Sequence, residues 1–91
     1  MQTTWFEVMP WDRINALADL GHEWEHARRE MEVLRRAVRG RHASVEEMDE
    51  AMLRYVTAMW AESVIARRYA VACEEVAEIA WARLLNSWNQ H

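Results

Sequence analysis

The residue that most needs a chemical explanation is Glu62. Helical periodicity puts Met48, Met52, Tyr55, Met59, Ala66, Tyr69, Ala70, Cys73, Ala77, Ala80 and Leu84 on one stripe, and Glu62 falls in its middle. A carboxylate among apolar side chains is costly unless it is protonated, paired or bound to a cation. The plain solution is an Arg, a Tyr hydroxyl or the N-terminal arm as partner. The chemical solution is a metal ligand or a proton-transfer group, which needs further donors nearby. A turn centred near residue 42 would set position 24 opposite position 60, bringing Glu62 within about one turn of Glu23 and His26. Those two are spaced i, i+3 on one helical face. A Glu from one helix with a Glu-x-x-His from another is half of a dinuclear carboxylate site, and a symmetric second chain would supply the other half. Carboxylates bridge and neutralise two hard cations, while imidazole leaves open positions on each metal. The expected metal ligands are therefore Glu23, His26 and Glu62, with iron the expected ion and manganese or zinc as alternatives.

Other readings use the same residues. His22-Glu23-Trp24-Glu25-His26 spells His-Glu-x-x-His, in which two His on one helical face bind zinc and the Glu acts as general base. That chemistry needs a third ligand and a substrate-binding strand edge, and nothing in the chain reads as a strand. A structural zinc site at His22 and His26 alone is the smaller version. Cys73 on the main stripe reads as a buried, inert thiol. His42 and His91 read as surface residues. The runs Arg28-Arg29, Arg35-Arg36 and Arg67-Arg68 have acidic neighbours and read as solvated faces. No Ser/His/Asp triad or Gly-rich phosphate loop is recognisable.

The elements that would position Glu62 follow from punctuation. A chain of 91 residues with two glycines and one proline leaves little turn chemistry for a β-sandwich, and its 52% hydrophobic content argues against disorder. The expected fold is one all-α domain. Residues 1–11, with Trp5, Phe6, Val8, Met9 and Trp11, read as an apolar arm folded on the helices or on a partner. Asp12 reads as an N-cap with Trp11 as hydrophobic staple, opening a first helix over 12–39. Gly40 reads as the left-handed residue that ends it. Ser44-Val45-Glu46-Glu47 is a capping box opening a second helix over 44–87. A short loop between two helices makes an antiparallel hairpin. The second helix has a further apolar line at Leu53, Trp60, Val64 and Val71, more than one partner helix can cover. A homodimer, or a higher homo-oligomer, closing into a four-helix bundle is the simplest solution. Trp24 is expected in the core, with Trp60 and Trp81 on an oligomer or partner face.

The segment Glu23-Trp24-Glu25-His26-Ala27 resembles the Glu-x-x-His-Ala helix of ferritin-like di-iron carboxylate proteins, and Glu62 with Tyr69 is similar to the Glu/Tyr pair on another helix of that family. A two-helix chain that dimerises to complete the site looks like the encapsulated-ferritin branch, with the helix order reversed here. The resemblance implies iron binding, Fe(II) oxidation at a dimer interface, and Tyr69 as a hydrogen-bond donor beside the ligands. The alternative class is a non-enzymatic helical interaction module, an inhibitor, chaperone or assembly adaptor that binds a macromolecular partner. A net charge of −4 argues against nucleic acid as that partner. No apolar run approaches the length of a membrane span, and no signal-peptide pattern opens the chain, so a cytoplasmic protein is expected.

Overall fold

The computed structural model describes residues 5–89. Among them every regular element is helical: α1 (Trp5–Val8), α2 (Trp11–Arg39) and α3 (Val45–Asn89). Residues 1–4 of the expected arm, and His91, lie outside the described residues. With α2 and α3 packed against each other, the chain is an antiparallel hairpin measuring 71 × 16 × 14 Å. The long dimension belongs to α3, whose 45 residues span about 67 Å at 1.5 Å per residue.

The two long helices form because their apolar residues recur at helical spacing and meet on one face. On α2 the half-buried positions include Ile14, Leu17, Leu20, Gly21, Trp24, Ala27, Met31, Leu34 and Val38; on α3 they include Tyr55, Ala58, Glu62, Ile65, Ala66, Tyr69, Cys73 and Val76. Gly21 eases the close packing of α2 on Tyr69. A Cβ there would stand 3.2 Å from Cε2 of Tyr69, so the glycine lets α2 approach the phenol ring.

The helix ends depart in detail from the sequence pattern. Asp12 is not the cap of α2. That place is taken by Pro10, whose carbonyl accepts from the backbone N–H groups of Arg13 and Ile14 at 3.0 Å, and Asp12 sits in the first turn. Trp11 is inside the helix, and its indole N–H donates to the Phe6 carbonyl at 2.9 Å with the two rings 4.8 Å apart. Gly40 is extended, at φ −71° and ψ 179°, not left-handed. It closes α2 with its N–H, which donates to the Arg36 and Ala37 carbonyls at 3.1 and 3.3 Å. Ser44 and Glu47 do form a cap: Ser44 Oγ accepts from the Glu47 N–H at 3.1 Å, and Glu47 reaches back to the N–H of Ala43 at 3.2 Å.

His42 is not a surface residue. Its side chain is 10% exposed, and Nε2 lies 3.1 Å from the Val38 carbonyl, so the ring plugs the loop between the two helix ends. The arm folds back on its own hairpin. Val8 and Pro10 are buried, α1 contacts α3, and Ser87 near the far end of α3 is buried as well. The arm thus extends α2's cover towards the C-terminal end of α3, which outruns α2 by 16 residues (45 less 29).

Replacing Ser44 by Ala removes the oxygen that caps α3. A loss of about 1 kcal/mol in unfolding free energy is expected by chemical denaturation, with Ser44→Asp close to wild type.

Candidate functional site

Glu62 sits at the seam between the two helices, as its place in the stripe required, and its partner is Trp24. The Trp24 indole N–H donates to Glu62 Oε1 at 2.8 Å across the hairpin. An ionised acceptor makes this bond stronger than one between neutral groups. An Arg, a Tyr hydroxyl or the arm was the expected partner, and the structure uses an indole instead. Trp24 is at once a half-buried core residue and a hydrogen-bond donor.

The surroundings of that bond are aromatic and cationic. Tyr69 stacks on Trp24 with ring centroids 5.3 Å apart and planes 29° from parallel. Arg28, one turn along α2, places its guanidinium carbon 5.4 Å from the Trp24 ring centroid, a cation–π contact. Cys73 lies one turn on from Tyr69 and is half-buried, where the stripe pattern reads it as buried. The neighbouring Cys73 side chain, and secondarily burial, hold the Tyr69 phenol above its ordinary value.

Glu23 and His26 belong to another environment. Both are exposed, on the part of α2 turned away from α3. His22, the other imidazole of the His-Glu-x-x-His spelling, is exposed too. Among the described residues no group of three or more His, Cys, Asp and Glu side chains converges to hold a metal ion. Within one chain the three expected ligands therefore do not form a centre: Glu62 is inside the seam on Trp24, and Glu23 and His26 face solvent. A centre built from them needs donors from a second chain.

Of the arginine runs, Arg35-Arg36 is paired within its own helix, while Arg28, Arg29, Arg67 and Arg68 are exposed. Arg35 Nε donates to Glu32 at 3.0 Å, and Arg36 lies 3.8 Å from the same carboxylate. The hydrogen bond from Arg35 holds the Glu32 carboxyl below its ordinary value. An open groove of about 560 Å³ lies between α2 and α3, lined by Ala27, Glu30, Leu34, Leu53, Ala58 and Ala61 among others. It holds one carboxylate and one guanidinium, Glu30 and Arg54, at an otherwise apolar wall.

The arrangement can thus do two things. It fixes the register of the hairpin by one inter-helix hydrogen bond, and it presents apolar helix surface to a neighbour. Comparison with protein-family models, curated proteins and solved structures returns no match.

Substitution Trp24→Phe keeps the ring stack and deletes the donor, leaving Glu62 unpaired at the seam. A loss of about 1–3 kcal/mol is expected by denaturation, and the double variant Trp24→Phe/Glu62→Leu should recover most of it, because removing both partners leaves nothing unsatisfied.

Proposed function

We propose that this chain is a non-enzymatic helical interaction module that works by pairing with a second copy of itself into a four-helix bundle. The observation that carries this is the surface left uncovered by a single hairpin. The chain exposes 7379 Å², whereas a compact monomer of 10.8 kDa is expected to expose about 5,500 Å². Its radius of gyration is 20.7 Å, against about 12 Å for a compact chain of this length. The excess, roughly 1,900 Å², is about the area one partner contributes to a large obligate interface. Val8 is the only buried hydrophobic residue among the described ones, and α2 has no buried residue at all. The large apolar side chains left exposed on α3 include Met52, Val56, Met59 and Trp60 on neighbouring turns, the last 71% exposed. A contiguous patch of this kind marks an interaction site. No helix among the described residues is long and apolar enough to cross a membrane, so a bilayer is not its cover through a span.

A second reading is iron or manganese binding by Glu23, His26 and Glu62 across two copies. It is favoured by the carboxylate that Glu62 carries into the seam beside the turn bearing the other two. The two readings use different sides of the hairpin. Glu23 is one helical turn from Ala27 and two from Glu30, both of which line the groove with Ala61. Stepping about 100° per residue, Met52 and Val56 fall on the opposite flank of α3 from Ala61.

Two measurements separate them. Sedimentation at tens of micromolar should give a species of twice the chain mass, with Met52→Glu or Val56→Glu giving the monomer. A compact, stable wild-type monomer would sink the pairing. Anaerobic loading with Fe(II) followed by metal analysis should return less than one ion per dimer; two per dimer, lost in Glu62→Ala and His26→Ala, would favour the metal reading.

A further inference from the structure

Pairing alone leaves the relative direction of the two helices open, and charges bordering the apolar stripe decide it. On α3, Asp49, Met52, Val56, Met59, Ser63 and Arg67 follow one another at steps of three and four, so they share one side of the helix. Asp49, Met52, Val56, Met59 and Arg67 are exposed. Ser63 is the one hydroxyl in the run. It donates to the Trp60 carbonyl at 2.8 Å, so it brings no unmet donor into an interface. The run therefore has a carboxylate at its N-terminal end, an apolar middle and a guanidinium at its C-terminal end, about 27 Å away along the helix. Among the described residues neither end charge has an ion-pair partner in its own chain, whereas the neighbouring Glu50 is held by Arg54 at 2.7 Å.

Two copies of such a run can meet in two ways. Side by side and parallel, Asp49 faces Asp49 and Arg67 faces Arg67, and like charges oppose at both ends. Antiparallel, each carboxylate meets a guanidinium, at both ends at once. Like-charge juxtaposition disfavours the first arrangement and complementary charge favours the second. The midpoint between Asp49 and Arg67 is residue 58, and an axis there also lays Trp60 of one chain over Val56 of the other. Trp60 is the type of residue that anchors interfaces when it fills a partner's surface.

We infer that two copies pair antiparallel, α3 on α3, about a two-fold axis near residue 58, with Asp49 of each chain facing Arg67 of the other. This rests on the self-association reading and specifies its partner surface. The pairing closes on itself, so it yields a dimer and not a filament. The charges set direction and register, and the apolar middle supplies the buried area.

The test is sedimentation of wild type, Asp49→Arg, Arg67→Asp, the double variant carrying both changes, and an equimolar mixture of the two single variants, all at low salt. Each single variant places like charges at both ends and should raise the dimer Kd about ten-fold or more. The double variant restores opposite charges and should return to within about three-fold of wild type. The mixture should form a heterodimer tighter than either homodimer, an outcome that two misfolded chains could not give. Salt near 1 M should collapse these differences, because exposed charges are then screened within about 3 Å. A wild-type dimer that neither single variant weakens overturns the antiparallel seam while leaving self-association intact. A wild-type monomer overturns self-association itself.

Discussion

Two helices can cover only one face of each other, and that limit governs this molecule. A helix packed on one neighbour hides one stripe and leaves the rest of its circumference in water. In α2 the amphipathic pattern respects the limit, with a single half-buried line from Ile14 to Val38 and charged residues over most of the remainder. In α3 it does not: Met52, Leu53, Val56, Trp60 and Val71 all stand outside the seam with α2 and are exposed. Apolar area kept in water gives no stabilisation. The hairpin by itself therefore leaves apolar surface of α3 in water.

Within the hairpin, one polar contact organises the seam. Trp24 reaches Glu62 through its indole N–H while its ring lies on Tyr69 and under Arg28. The bond is directional where the surrounding apolar contacts are not, so it selects one register among several that would bury similar area. Gly21 belongs to the same arrangement, since the ring of Tyr69 occupies the place its side chain would take. A carboxylate that first suggests chemistry is thereby accounted for within the chain as a fastener, and its metal-binding reading depends on a second copy.

The two ends of the rod are closed by different means. At the loop, the Gly40 N–H, the Ser44 hydroxyl and the His42 ring take up backbone groups freed where α2 stops and α3 starts. At the other end the arm supplies cover: α1 contacts α3, and Val8, Pro10 and, near the end of α3, Ser87 are buried. The arm is thus an extension of α2 in function, bent at Pro10 because proline has no backbone N–H to donate and its ring crowds the preceding turn.

Local spacing suffices for the two long helices, the loop and the register, whereas α1 forms within a segment that reads only as an apolar arm. Periodicity needs only local spacing, and the Ser44–Glu47 box and the shortage of glycine and proline are local signals; even the opposition of residue 24 to the region of 60 follows from counting out from the turn. What the sequence left undecided were contacts between residues distant in the chain. Trp24 as donor to Glu62, Tyr69 drawn to Gly21 and Cys73, and the arm on its own hairpin each depend on side-chain direction at the packed seam, which spacing does not encode. His42 was misjudged for the same reason: a lone loop histidine carries no periodic signal, and only the meeting of two helix ends encloses it. Glu23 and His26 show the converse. Their spacing was legible, but a step of about 100° per residue turns them away from Trp24's face, and the tertiary structure leaves both exposed.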